Sequence, residues 1–111
     1  MNRVTLIGRL TTAPKVSETE TTTVLNMVIA VRRPTKDDKA DFPLITVFGK
    51  LANHCAEHLQ KGSLIGVDGK LQTSRYEDEA GHMSYRCNVV ANKIDFLSWG
   101  EPRDEDEANS E

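Results

Sequence analysis

The sequence predicts an all-β domain in which five strands close into a barrel and one helix lies between strands three and four. Two observations carry this prediction. Five segments alternate between apolar and polar residues or form short apolar runs, and a single segment has apolar residues at helical spacing. With 111 residues, the chain has room for one domain and one core. The predicted strands are residues 2–10, 24–31, 42–49, 64–71 and 84–97.

The first predicted strand has two distinct faces, because its apolar residues recur at every second position. Pro14 ends its pairing, and the polar, Thr-rich segment 16–23 is predicted to be a turn. The side expected to face the core carries Val4, Leu6, Gly8 and Leu10.

The second predicted strand is almost continuously apolar, which indicates a well-buried position. A charged loop over residues 32–41 follows it. In the third strand, Ile45 and Val47 alternate with more polar or bulkier neighbours and are the core candidates.

The helix is predicted from apolar residues that recur at helical spacing, followed by Gly62 as a stop signal. In the fourth strand, Gly66 and Gly69 suit a bulge or a close backbone approach. Residues 72–83 are polar and are predicted to form a long hairpin loop. The order of three strands, one helix and two strands is the plan of an OB-fold, and it excludes a doubly wound α/β fold. The helix pattern consists of Leu51, Ala52, Cys55, Ala56 and Leu59.

The charge of the chain is divided between a body and a tail. The net charge is −3, but the last eleven residues hold six acidic residues and one basic residue. The remainder has 11 acidic and 13 basic residues, a balance of +2 that is weakly compatible with nucleic-acid binding. We therefore expect a domain over residues 1–100 and a disordered acidic tail over residues 101–111.

The N-terminus alternates instead of forming an apolar signal core, and no apolar run approaches membrane-spanning length. These features predict a cytoplasmic protein. Cys55 and Cys87 are then expected to be free thiols in a reduced compartment, since nothing in the sequence supports a disulfide.

Four blocks of sequence occur in a fixed order. They are residues 1–10 (MNRVTLIGRL) followed by Pro14, residues 47–52 (VFGKLA), residues 59–73 (LQKGSLIGVDGKLQT) and residues 76–78 (YED). In order and spacing they resemble the bacterial and phage single-stranded DNA-binding proteins, and the resemblance covers roughly residues 1–97.

The resemblance implies a homotetramer, with a dimer as the alternative, that binds single-stranded DNA in replication, recombination or repair. Its OB-fold would stack bases on aromatic side chains and contact phosphates with Lys and Arg. The residues that match the stacking aromatics of the family are Phe42, Phe48 and Tyr76. The residues that match its commonly basic positions are Arg3, Arg9, Lys50, Lys61, Lys70 and Arg75.

The residue pattern supports part of this assignment. Phe42 and Phe48 lie six residues apart on one predicted strand, so both should face the same side, although the pattern alone leaves Phe48 open to a core position. Arg32 and Arg33 end the second strand and are candidates for a phosphate clamp. The alternative is a solvated pair beside the acidic residues of the following loop, Asp37 and Asp38.

Two features depart from the family pattern. A stacking aromatic expected just after the second strand would fall near Pro34, where the chain has none. The acidic tail ends in residues 109–111 without a hydrophobic tip, which puts recruitment of replication or repair proteins through the tail in doubt.

Catalytic and metal sites are not predicted. His54 and His58 could share a helix face, but Cys55 belongs to the apolar face, so exposed histidines are favoured over a metal site. No nucleophile–base pair or phosphate-binding glycine loop is evident, and the loop carboxylates lack a pocket that would raise their pKa. We expect no cofactor and no enzymatic activity.

Two alternatives remain at the level of sequence. A primosome-type OB protein would bind DNA but mainly bridge replication proteins, and its dimeric state would distinguish it. An interaction-only OB module would have lost DNA binding, and alanine substitution of the three candidate aromatics would leave it without a DNA phenotype.

Overall fold

The computed structural model describes residues 1–35 and 37–98 and contains seven strands and one helix. The predicted tail over residues 101–111 and the end of the predicted domain lie outside the described residues. The elements are β1 (Val4–Leu10), β2 (Lys15–Glu18), β3 (Thr23–Arg32), β4 (Ala40–Asp41), β5 (Leu44–Phe48), α1 (Gly49–His58), β6 (Leu64–Glu77) and β7 (Met83–Ser98).

The five long strands pair in a closed ring. β1 pairs with β6, β6 with β7, β7 with β5, β5 with β3, and β3 returns to β1. All of these pairings are antiparallel except that between β5 and β7, which is parallel. The helix α1 connects β5 to β6, between the third and fourth strands of the ring, so the predicted all-β OB-fold class is confirmed.

Two segments predicted to be irregular form short strands. β2 lies within the predicted turn and pairs with the first half of β3. β4 lies within the predicted charged loop and pairs with the last two residues of β3. Both are mostly exposed, so neither shows the apolar alternation that a half-buried strand requires.

The predicted hairpin loop over residues 72–83 is wrong for most of its length. β6 and β7 stay paired as far as Glu77 and Met83, and the turn occupies only residues 78–82. In this turn, Asp78 Oδ1 accepts hydrogen bonds from the amides of Ala80 and His82, at 3.0 and 2.8 Å. We call the paired ends of β6 and β7 beyond Leu71, residues 72–88, the arm. Every residue on its β6 strand is exposed, so its ladder satisfies the backbone without leaving a hydrophobic pattern in the sequence.

The third predicted strand begins later than the sequence suggested. β5 starts at Leu44, and Phe42 precedes it on an irregular segment that includes Pro43. Proline has no amide hydrogen for a sheet ladder, although the Pro43 carbonyl still accepts a hydrogen bond from the Ile29 amide at 3.3 Å. The premise that Phe42 and Phe48 share one strand is therefore wrong.

The core lies inside the ring of strands and is covered by α1. Ile45 and Val47 are fully buried, as predicted, and Ala52 and Cys55 contribute the buried face of the helix. Ala56, expected on that face, is exposed instead. The inner sides of the strands thus form one apolar cluster, and their outer sides are available for a functional surface.

Gly69 marks an irregularity of the ring. The register between β6 and β7 shifts between Asp68 and Gly69, and a Cβ atom at Gly69 would lie 2.2 Å from the Val90 carbonyl oxygen. The predicted bulge or close backbone approach is confirmed at this position, where only glycine fits.

Candidate nucleic-acid interface

The outer side of β3 and β5 forms the centre of the candidate interface. In β3 buried residues alternate with partly exposed ones, and in β5 the core residues Ile45 and Val47 lie between Leu44, Thr46 and Phe48, which point to the other side although Thr46 is covered there. Phe48 is one of these outward residues and lies opposite Val24 in the ladder. Its side chain is 48% exposed, so the structure places it on the surface and excludes the core position that the pattern had left open.

Phe42 lies further along the same side of β3. Leu44 is opposite Val28 and Asp41 is opposite Val31, so Phe42 lies between these two positions along β3. Its side chain is 63% exposed. The two phenylalanines therefore border one outer surface although they belong to different segments.

Arg32 lies at the far end of this surface. Val24 and Arg32 are eight residue steps apart along β3, which corresponds to about 26 Å at ~3.3 Å per step. We call the outer side of β3, from Phe48 past Phe42 to Arg32, the β3 track. It presents two aromatic rings followed by a cation, the combination that suits single-stranded nucleic acid.

Basic side chains gather around the far end of the β3 track. Arg9, Arg32 and Lys39 line one open depression together with one acidic residue, Asp38. Arg9 is opposite Ala30 in the pairing of β1 with β3. Arg9 Nη1 donates a hydrogen bond to the Gly62 carbonyl oxygen at 2.9 Å, which brings the turn containing exposed Lys61 alongside. Two predicted basic residues, Arg9 and Arg32, are thus brought together although they are distant in sequence.

A row of polar side chains extends the interface sideways from β3 to β7. Thr46 Oγ1 donates to Asn26 Oδ1 at 2.8 Å and accepts from Asn88 Nδ2 at 2.9 Å. Thr46 is opposite Val90 in the parallel pairing, and Val90 is opposite Lys70, which is exposed. Lys70 therefore lies on the same side of the sheet as Phe48, and Lys50 is exposed at the start of the helix that follows Phe48.

The arm formed by the ends of β6 and β7 carries aromatic residues on both of its sides. Tyr76 is opposite Ser84, and the Arg86 guanidinium lies 5.2 Å from the centre of the Tyr76 ring. Arg75 is opposite Tyr85, and this pair points to the other side because neighbouring residues alternate along a strand. Tyr76 shares its side with Lys70, whereas Arg75 does not.

Two of the candidate arginines form ion pairs. Arg3 pairs with Asp68 at 2.9 Å on the outer side of β1 and β6. Arg33 pairs with Asp41 at 2.7 Å, not with the acidic residues of the loop that the sequence suggested. The hydrogen bond and the charge of Asp41 raise the pKa of Arg33, and the hydrogen bond from Arg33 lowers the pKa of Asp41. Arg32 and Arg33 consequently lie in different surroundings and do not form a joint clamp.

The sequence analysis missed Asn26, Lys39, Thr46, Arg86 and Asn88. Their positions depend on which strands are neighbours and in which register, and the sequence does not state either. Arg86 had a partial signal in the sequence, because it is a basic residue at the start of the predicted fifth strand, directly after the predicted hairpin loop that holds Tyr76.

The residues that match a known protein family are those that form the ring of strands. The model of the single-strand binding protein family matches residues 1–97, which include β1 to β6 and nearly all of β7. The chain belongs to this family. The resemblance found in the four sequence blocks is therefore confirmed.

Individual members of the family are similar over most of the chain. A single-stranded DNA-binding protein of Clostridium tetani is 47% identical over 105 residues, which cover 90% of this chain and 72% of that protein. Single-stranded DNA-binding protein 1 of Clostridium acetobutylicum is 40% identical over 103 residues, covering 87% and 94%. Single-stranded DNA-binding protein 1 of Staphylococcus aureus is 41% identical over 112 residues, covering 96% and 70%.

Within residues 1–35 and 37–98, no helix is long and apolar enough to cross a membrane. The helix α1 has ten residues, about half of what a span requires.

Proposed function

We propose that this chain binds single-stranded DNA without sequence preference, by stacking bases on exposed aromatic rings and contacting phosphates with basic side chains. The β3 track is the observation that carries the proposal. It places Phe48, Phe42 and Arg32 in order along one outer surface about 26 Å long. That length suits several nucleotides, within the range of about 4–16 nucleotides per OB-fold.

Stacking gives affinity without specificity because every base has a flat π-face. Bases would stack on Phe48 and Phe42 along the β3 track. Where the DNA strand continues from the track to the arm, a base would stack on Tyr76. Arg86 beside Tyr76 would add a cation close to that base. Asn26 and Asn88, joined through the buried Thr46 hydroxyl, are partly exposed beside these aromatics and would offer hydrogen-bonding groups to the passing strand.

Phosphate contacts are assigned to the basic residues around these aromatics. We propose that Arg9, Arg32 and Lys61 hold the backbone at the far end of the β3 track. Lys50 and Lys70 would act nearer Phe48 and the arm, on the side that Tyr76 faces. Arg75 lies on the opposite side of the arm with Tyr85, so we do not assign it a phosphate contact on this path. Arg3 and Arg33 would contribute by exchanging an exposed carboxylate partner for a phosphate, a small cost because exposed ion pairs contribute only ~0–1 kcal/mol.

The proposed activity is binding and not catalysis. By binding the unpaired strand and not the duplex, the protein would shift the equilibrium towards the unpaired state through mass action. This suits a role in replication, recombination or repair in the cytoplasm, without a cofactor. An acidic tail over residues 101–111 after a DNA-binding domain would compete with DNA for the basic side chains.

We also propose that the chain assembles into a homotetramer. The outer side of β1 carries Ile7, which is 61% exposed, and Leu97 of β7 lines the same depression. Exposed apolar side chains beside the Arg3–Asp68 pair suit a contact between copies. Sedimentation velocity distinguishes four copies from two, and a dimer would favour the primosome-type alternative.

The test is a titration of the protein into fluorescently labelled oligo-dT and into a matched duplex, followed by anisotropy at two salt concentrations. The expected result is tight binding to oligo-dT, weak binding to the duplex, and a loss of affinity as salt rises. Absence of binding to oligo-dT at low salt would overturn the proposal and favour an interaction-only OB module.

A further inference from the structure

A cluster of metal-ligating side chains lies on α1, away from the β3 track. His54, Glu57 and His58 are exposed, and one ligand atom of each lies within 4.8 Å of those of the other two. The imidazole ring centres of His54 and His58 are 4.5 Å apart, as expected for side chains one helical turn from each other.

Phe96 of β7 lies against both histidines. Its ring centre is 5.3 Å from that of His54 and 6.2 Å from that of His58, in edge-on arrangements. Phe96 also packs against the core and is therefore fixed by the strand ring. The two imidazoles consequently have a rigid neighbour on one side, which restricts their rotamers before a ligand binds. Less side-chain conformational entropy is therefore lost on binding.

We infer that His54, Glu57 and His58 form a binding site for one Zn²⁺ ion per chain. Zinc takes imidazole nitrogen and carboxylate oxygen at about 2.0–2.2 Å in a tetrahedral arrangement. Two nitrogen ligands of one tetrahedral zinc are about 3.3 Å apart, so small side-chain rotations suffice to bring the three ligands together. Water completes the fourth position, because the cluster is open to solvent.

This site differs from the arrangement that the sequence analysis rejected. From the sequence, Cys55 was the residue considered beside the two histidines, and the structure places it in the core. Cys55 is fully buried on the core side of α1, so its thiol is not available to a cation bound at the exposed histidines. Glu57 takes the place of the cysteine as the third ligand because it is exposed and its carboxylate lies within 4.8 Å of a ligand atom of each histidine.

The donor set predicts which cations bind. Imidazole suits zinc and neighbouring transition metals, whereas Mg²⁺ and Ca²⁺ prefer sites composed of oxygen ligands only. We therefore expect saturable binding of Zn²⁺ and no comparable binding of Mg²⁺.

The experiment is isothermal titration of zinc chloride into untagged, chelator-treated protein at neutral pH. All variants are made in a Cys87→Ser background, since Cys87 is an exposed thiol that could bind zinc on its own. The expected result is one equivalent of zinc per chain. His54→Ala and His58→Ala should each lower the affinity about tenfold or more, since altering even the groups that orient ligands costs about 10–100-fold.

The matched control is His82→Ala, which removes the third histidine of the chain from the turn of the arm. This variant should bind zinc as tightly as the background protein. Circular dichroism verifies the fold of each variant, and a zinc-induced rise in melting temperature should disappear with His54→Ala and His58→Ala but persist with His82→Ala.

Absence of saturable zinc binding would overturn the inference. So would unchanged binding in the doubly substituted His54→Ala, His58→Ala protein, or equal binding of Mg²⁺. The titration contains no DNA, so its outcome is independent of the proposed DNA-binding function.

Discussion

Replacing Phe48 with alanine tests the β3 track most directly, because its effects on DNA binding and on stability should separate. Loss of one stacked base costs ~1–3 kcal/mol, which weakens affinity for oligo-dT by about 5- to 150-fold. Burying a Phe side chain fully contributes ~1.5–3 kcal/mol to stability. Phe48 is 48% exposed, so the alanine substitution should remove about half of that contribution. A cost of roughly 1 kcal/mol lies well below the ~5–15 kcal/mol stability of a typical domain.

The local backbone should tolerate the change. Phe48 is the N-cap residue of α1, with extended backbone angles of −118° and 152°, and its side chain makes no capping hydrogen bond. Alanine adopts the same backbone conformation, so the start of the helix is expected to remain in place.

The assay is fluorescence anisotropy with labelled oligo-dT at several salt concentrations, accompanied by thermal melts. The matched control is Tyr85→Ala, which also removes an exposed aromatic ring (70% exposed) but from the side of the arm opposite Tyr76. Phe48→Ala should shift the binding curve without changing the slope of log affinity against log salt, because it removes no phosphate contact. Tyr85→Ala should leave the curve close to that of the unaltered protein.

Two results would refute the reasoning. Unchanged affinity of a folded Phe48→Ala protein would show that bases do not stack on the β3 track. An equal loss of affinity in both variants would show that DNA contacts the Tyr85 side of the arm as much as it contacts the β3 track.

Three further predictions concern charge, packing and thiol reactivity. Lys70→Gln should lower the magnitude of the salt slope by about 0.7, the value for one phosphate contact to a single strand, and an unchanged slope in salt titrations would remove Lys70 from the interface. Gly69→Ala should destabilise the fold by ~1–3 kcal/mol in urea denaturation, because its Cβ would lie 2.2 Å from a carbonyl oxygen. Gly66→Ala, whose Cβ would lie 3.6 Å from the Asp95 Cβ atom, should cost less, and equal costs would contradict the close approach. In the folded protein a thiol reagent should modify Cys87 and spare Cys55, whose burial raises the pKa of the thiol to about 11, and labelling of both at equal rates would contradict the buried position.

The ring of strands was predictable because its inner side is buried. Residues such as Ile45 and Val47 recur at every second position, and this period is visible wherever one side of a strand faces a core. The arm beyond Leu71 has no such side, so the same strands continue into a region where the sequence pattern stops. The sequence analysis therefore placed the fold correctly and ended the fourth strand too early.

The candidate interface was predictable in its residue types but not in its arrangement. The outward position of Phe48 follows from its place next to buried Val47. That Arg75 and Tyr76 point to opposite sides follows from strand alternation only once the arm is known to be paired. The approach of Arg9 to Arg32 depends on the closure of the ring between β1 and β3, which brings together residues far apart in the chain.

The net charge of residues 1–100 is only +2, but the charged side chains are unevenly distributed over the surface. Asp68 and Asp41 lower the net charge of the body. Each forms an ion pair with an arginine on the outer surface, Arg3 and Arg33 respectively, so its negative charge is largely neutralised locally. Arg9, Arg32 and Lys39 lie around one depression at the end of the β3 track, where they outnumber the one acidic residue, Asp38. A DNA strand that stacks on Phe48 and Phe42 would reach that depression at the end of the track. The distribution of charge along the track, and not the net charge of the chain, therefore decides whether this surface suits DNA.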